Sequence, residues 1–244
     1  MCGIAGIWNW FREPAKYPEA VVDMLTLIAH RGPDEMGYYF DGLTGFGTAR
    51  LCIIDLDTGQ QPMADPSGQY WICFNGEVYN YLELRQALQA RGREFQTESD
   101  TEVCLQAWIE WGSDGLADLN GAFAFAIYDR AGEELILARD RWGKRPLFYY
   151  QDDDRMAFAS EIKSFLALDD IPVKFDKAQL ATIFSTWTPL PDQSGYQNIK
   201  QVPPGSFLRF KDGRLGLQCY AHLALNPEPF RGTYEAALEE TRTR

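Results

Sequence analysis

Residues 122–160 read AFAFAIYDRAGEELILARDRWGKRPLFYYQDDDRMAFAS. Four apolar, aromatic-rich runs stand in this stretch, at 122–129, 134–139, 147–151 and 156–160, and each has the composition of a β-strand. The last runs into an expected helix at 161–168. Toward the N-terminus, GIAGIW at 3–8 reads as a short buried strand, and 19–30 carries Val22, Leu25, Ile28 and Ala29 at helical spacing. RGPDE at 31–35 breaks that helix. Strands are expected at 36–40, 45–54 and 69–75, and a helix at 79–91. Ser99-Asp-Thr-Glu102 is a capping-box pattern. It precedes a helix with Val103, Leu105, Ala107, Trp108 and Trp111 that ends near Gly112. Toward the C-terminus, 186–205 holds Pro189, Pro191, Pro203 and Pro204 and reads as loop. Strands follow at 206–210 and 214–220, a linker with Pro227, Pro229 and Gly232 at 226–232, and the start of a helix at 233–244. Strands, then helices, then strands again, without regular βαβ alternation, predict an α+β protein with largely antiparallel sheets.

The 244 residues suffice for one large domain or two small ones, and 45% apolar with 14% aromatic content supports a packed core. A net charge of −12 argues against nucleic acid and anionic membranes as partners. No apolar run approaches the roughly 18 residues of a membrane span, and the N-terminus lacks a secretory pattern. Five scattered cysteines without a CxxC pair, and only two histidines, favour neither a disulfide framework nor a metal site. A reduced, cytoplasmic setting is expected, with no metal.

Cys2 is the most suggestive single residue. Removal of Met1 would leave a thiol and a free α-amine on one residue, so nucleophile and base could share it; a cysteine so placed is otherwise a small buried side chain. Asn75-Gly76 offers a side-chain amide and an unhindered backbone N–H, two donors of the kind an oxyanion needs. The same dipeptide is also a strong β-turn signal. Arg50 requires an anion, either a substrate carboxylate or a structural ion-pair partner. Asp100 either favours a helix N-terminus or holds an ammonium. His30 to Asp34 reads as a helix end and turn, and ARDRWGKRP at 138–146 reads as an anion-binding loop or an internal salt-bridge cluster.

Nine blocks occur in order: MCGIAGIW (1–8), HRGPD (30–34), RLCIIDL (50–56), GQQPM (59–63), NGEVYNYLELR (75–85), ESDTEV (98–103), LNGAFAFAIYD (119–129), LARDRWGKRPLFYY (137–150) and FASEIKSF (158–165). Together they resemble the glutaminase domain of glutamine-hydrolysing asparagine synthetases, which are class II glutamine amidotransferases. The resemblance is dense from residue 2 to about 168 and looser through VPPGSFLRF at 202–210. It implies a four-layer αββα N-terminal-nucleophile hydrolase sandwich of two antiparallel sheets. It also implies an amidotransferase domain over 2–215, with 216–244 a linker and the start of a synthetase-domain helix. The family's nucleophile falls on Cys2, and its oxyanion donors fall on Asn75 and Gly76. Its α-carboxylate clamp falls on Arg50. Its contacts to the α-amino end fall on Glu77 and Asp100, with backbone contacts from residues 51–54, including Leu51, Ile53 and Ile54. L-Glutamine is the implied substrate, and a synthetase domain in cis or in trans the implied partner; a homodimer is allowed. The Ser-Gly-Gly-Xaa-Asp-Ser phosphate loop of the family's ATP-pyrophosphatase domain does not occur in these residues. ATP and Mg are therefore expected only in a synthetase domain, and no cofactor in this chain.

Overall fold

A computed structural model describes residues 1–8, 18–42, 44–153, 155–222 and 230–243. The alternation of each strand decides the architecture. In β1 (Gly3–Trp8), Ile4 and Trp8 face one way and Ala5 and Ile7 the other, and all four are buried. In β6 (Gly121–Asp129), Ala124, Ala126 and Tyr128 alternate with Phe123, Phe125 and Ile127. Strands apolar on both faces need cover on both sides, and the remaining elements supply it.

One sheet is built from β1, β2 (Glu35–Phe40), β3 (Thr44–Arg50), β8 (Phe148–Gln151), β9 (Met156–Ala159) and β10 (Ile199–Gln201), in the order β10-β8-β9-β1-β3-β2. The other joins β4 (Met63–Ala64), β5 (Tyr70–Val78), β6, β7 (Glu134–Arg139), β11 (Ser206–Lys211) and β12 (Arg214–Cys219), in the order β12-β11-β7-β6-β5-β4. Every pairing is antiparallel. The sheets pack face to face through Ile4, Phe46, Phe158, Tyr128, Leu137 and Phe210. Trp8 and Phe46 of the first sheet meet Tyr128 of the second edge-on at 5.2 and 6.4 Å, a favourable ring geometry. Helix α1 (Pro18–Thr26) covers the outer face of the first sheet through Val21, Met24 and Leu25. Helices α2 (Tyr81–Gln89) and α3 (Asp100–Trp111) cover the second through Leu84, Leu88, Val103 and Ala107. The result is the α+β, four-layer αββα sandwich.

Several element boundaries differ from expectation. The strand expected over 45–54 leaves the sheet at Arg50, because the guanidinium turns the following chain back by binding the carbonyls of Ile54 and Asp55. The strand expected to end at residue 75 runs on to Val78. Asn75 and Gly76 pair with Ala124 and Phe123 inside the ladder, so the β-turn reading of this dipeptide is wrong. Residues 19–30 form α1 only to Thr26, followed by a 3-10 turn at Ala29–Arg31, and 162–167 is likewise 3-10. Helix α4 (Lys177–Thr186) was not expected; Asp176 caps it through the N–H groups of Ala178 and Gln179, and none of its residues is buried. Strand β10 interrupts the loop expected over 186–205. Helix α5 (Tyr234–Thr243) occupies most of 233–244. Residues 226–229 of the expected linker lie outside the described residues. The capping box at 99–102 is half right. Ser99 accepts from Thr101 N–H at 3.1 Å, but Glu102 reaches past Ser99 to the N–H groups of Gln96 and Thr97 at 2.8 and 2.7 Å.

Candidate active site

The antiparallel pairing of β1 and β3, with Gly3 opposite Ala49, brings Cys2 beside the end of β3. Leu51 N–H points at the Cys2 sulfur at 3.4 Å, and the Leu51 carbonyl lies 3.7 Å from it. The Cys2 carbonyl accepts from Arg31 Nε at 2.9 Å, and Arg31 is itself held by Glu161 at 2.9 Å. Glu161 also meets His30 at 3.1 Å and Lys163 at 3.4 Å. The HRGPD segment thus fixes the residue that opens β1. Gly32 makes this approach feasible, since a Cβ there would sit 2.2 Å from the Ala49 carbonyl oxygen. Burial pushes the Cys2 thiol pKa up, while the Leu51 N–H, the chain's amino group and Arg50 pull against it. The resting sulfur is therefore protonated at neutral pH.

Cys2 lines a cleft together with Arg50, Leu51, Ile53, Ile54, Gly76, Glu77 and Asp100. Eight of the nine residues singled out in the sequence thus meet at one place. Asn75 is not among the lining residues: its side chain is fully buried in β5, and neither its Oδ1 nor its Nδ2 has a hydrogen-bond partner among the described residues. Leaving an amide unsatisfied costs about 1–3 kcal/mol, so such a group calls for a reason. Gly76 next to it has φ +157°, and a Cβ there would lie 2.2 Å from the Ala122 carbonyl oxygen. Only glycine fits this conformation without strain.

Arg50 is 3% exposed and binds Glu35 at 3.1 Å, so the structural ion pair is present even though the guanidinium borders the cleft. Asp100, the first residue of α3, accepts from Val78 N–H at 2.9 Å. Desolvation pushes its pKa up to about 6, with the Glu77 carboxylate adding to the rise. Met1 also borders the cleft, and its sulfur lies 2.7 Å from the Arg145 guanidinium. With Met1 in place the cavity volume is only about 30 Å³, room for little more than water.

The internal salt-bridge cluster, one of the two readings of the basic loop, is not formed by its Arg139 and Arg141. Among the described residues, Arg139 and Arg141 make no ion pair; they bind carbonyls, Arg139 those of Gly143, Arg145 and Val202, and Arg141 those of Ala117 and Leu119. Asp140 is the buried anion of this loop, taking the N–H groups of Phe123, Trp142, Lys144 and Arg145. Residues that the sequence reading left without a role also border the cleft, among them Gln61, Ser99 and Thr101. Gln61 lies in the GQQPM block, but a polar residue before proline carries no signal of burial. Among the described residues no group of three or more His, Cys, Asp or Glu side chains could hold a metal ion. Among the described residues no helix is long and apolar enough to cross a membrane.

Residues 1–221 match the family described as the glutamine amidotransferase domain. The chain belongs to the glutamine amidotransferase family. This amidotransferase domain is 37% identical over 246 residues to asparagine synthetase [glutamine-hydrolyzing] 1 of Bacillus subtilis, covering 99% of the chain and 38% of that protein. It is 31% identical over 216 residues to asparagine synthetase B of Escherichia coli, covering 88% of the chain and 34% of that protein. The chain thus spans little more than a third of the length of these relatives. Among solved structures it is similar to the glutamine phosphoribosylpyrophosphate amidotransferase of B. subtilis, with a TM-score of 0.65 at 24% identity over 90% of the chain and 49% of that structure. At that identity the likeness bears on the amidotransferase fold alone.

Proposed function

We propose that this domain hydrolyses the side-chain amide of L-glutamine through a thioester on Cys2 and delivers ammonia to a synthetase partner domain. The observation that carries the reading is the buried, unpartnered Asn75 amide beside Gly76, on the strand that borders the cleft holding Cys2.

Once Met1 is removed, the α-amine of Cys2 takes the thiol proton and the sulfur attacks the glutamine side-chain carbonyl, forming the C–S bond. The Asn75 Nδ2 and the Gly76 N–H donate to the oxyanion. The α-ammonium gives its proton to the leaving nitrogen, the C–N bond breaks, and ammonia departs. Water then attacks the thioester with the amine as base; the C–S bond breaks and glutamate and the free thiol are released. Arg50 binds the substrate α-carboxylate, ionised Asp100 and Glu77 bind its ammonium, and the backbone of Leu51, Ile53 and Ile54 completes the contacts.

The relatives' names suggest asparagine as the product, and the family resemblance suggests the acceptor, an aspartate activated with ATP and Mg in a synthetase domain. Residues 2–215 form the amidotransferase unit on this reading, and 216–244 lead toward that partner. Intact mass spectrometry of the Met-free chain after exposure to 6-diazo-5-oxo-L-norleucine tests the glutaminase step. One adduct, lost in Cys2→Ala, is expected; a folded, Met-free chain that takes no adduct refutes it.

A further inference from the structure

The proposed site draws on three separate elements: β3 in one sheet carries the carboxylate clamp Arg50, β5 in the other carries Asn75, Gly76 and Glu77, and α3 outside both begins with Asp100. Productive geometry requires these to be held together to a fraction of an ångström. One buried side chain touches all three. Gln61, 7% exposed, accepts at Oε1 from Phe74 N–H at 2.7 Å and from the Thr48 hydroxyl at 3.4 Å. Its Nε2 donates to Thr101 Oγ1 at 3.2 Å. The backbone N–H of Phe74 can only donate, so the amide is oriented without ambiguity, oxygen toward β5 and nitrogen toward α3.

The partners are not arbitrary members of their elements. Thr48 is two residues before Arg50 on β3, and residues two apart share a strand face. Phe74 immediately precedes Asn75, and Thr101 immediately follows Asp100. The Gln61 side chain itself borders the cleft. Among the described residues, the polar contacts of the Cys2 sulfur are with Leu51 and not with the Gln61 amide.

We infer that Gln61 is a positioning residue that sets recognition of the amino-acid head of the substrate by locking β3, β5 and α3 into one register. The inference rests on the proposed glutaminase activity. It separates recognition from nucleophilicity: the head group should feel the loss of Gln61, and the sulfur should not.

The test is the labelling rate of Cys2 in the Met-free chain with two electrophiles. 6-Diazo-5-oxo-L-norleucine carries the amino-acid head, and iodoacetamide lacks it. In Gln61→Met, which keeps the length and removes the hydrogen bonds, labelling by the first should fall about 10- to 100-fold, while labelling by iodoacetamide stays within about two-fold of wild type. Glutamine KM should rise over the same range. Thr101→Val removes the Nε2 acceptor from a different element and should move the ratio of the two rates the same way, by a smaller factor. It also carries the test if Gln61→Met does not fold. An unchanged ratio in a folded variant overturns the inference, as does a parallel fall with both reagents, which marks a merely structural residue. A wild-type chain that iodoacetamide alkylates at Cys2, but that neither the diazo compound labels nor glutamine occupies, overturns the glutaminase reading instead.

Discussion

At the scale of single residues, Asp100 joins stability to function. Its carboxyl sits at about 6, against an ordinary value of about 3.9. The fold therefore favours the protonated form. That contribution is fully present below about pH 4 and is lost as pH rises through about 6, so at neutral pH the ionised Asp100 is a local cost. Asp100→Asn should raise unfolding stability at pH 8 by about 1–3 kcal/mol, with the gain shrinking toward pH 4, as urea melts at several pH values would measure. The same substitution should abolish glutamine recognition. In the wild type, protonation of Asp100 should add about a tenfold fall in kcat/KM for glutamine per pH unit below about 6. Asn75 makes a different kind of demand: its amide has no partner among the described residues, and on the proposed oxyanion role Asn75→Ala should lower kcat by roughly 10²–10³ with a much smaller change in KM. Steady-state ammonia release checks this, and an unchanged kcat would sink the assignment. Cys2, Arg50 and Asp100 could be read from the ordered blocks. That Asn75 is buried without a partner could not, because Asn-Gly is locally indistinguishable from a turn. What decides between them is a strand partner, Ala124, 49 residues away.

Among the elements, α3 and the segment before it show where local signals succeed and fail. Ser99 and the apolar run behind it announce the helix. The destination of Glu102 depends on the preceding segment folding back, which no four-residue pattern encodes. Its carboxylate takes two backbone N–H groups and the Thr97 hydroxyl, while Arg85 binds the Thr97 carbonyl at 2.6 Å and lies over the Phe95 ring. Glu102→Ala should therefore cost about 1–3 kcal/mol, since it removes charge-assisted bonds to two part-buried backbone donors. Chemical denaturation with an unchanged m-value would register this loss as one of native-state stability. The long strands β5, β6 and β7 were legible because both faces are apolar. Helix α4 was not: it buries none of its residues and follows a change to polar, proline-punctuated sequence, so periodicity had no core to report. β10, three residues long, is held by pairing with β8 and not by its own composition.

For the molecule as a whole, the order of the expected elements pointed to antiparallel sheets, and the resemblance supplied their stacking into four layers. The physical reason for stacking lies in the strands themselves. A chain with two sets of doubly apolar strands must bury three faces: one between the sheets and one under each helical layer. Those three interiors are the three groups of buried side chains in the structure. The cleft opens at one end of this sandwich, where β1 begins and β3 finishes. It draws on both sheets, which is why its members are scattered from residue 1 to residue 145.

Strand β1 lies inside its sheet, between β3 and β9. Ribosomes deliver β9 about 150 residues after β1, roughly 8–30 s later at about 5–20 residues per second. During that interval the first peptide bond belongs to a nascent, unclosed chain. Afterwards the carbonyl of Cys2 is pinned by Arg31 and its sulfur by Leu51, and the bond that joins it to Met1 is part of a folded surface. Topology thereby imposes a timetable on maturation. On the proposed mechanism, a chain that keeps Met1 folds with the Cys2 amine blocked in a peptide bond and is expected to release no ammonia from glutamine until Met1 is removed.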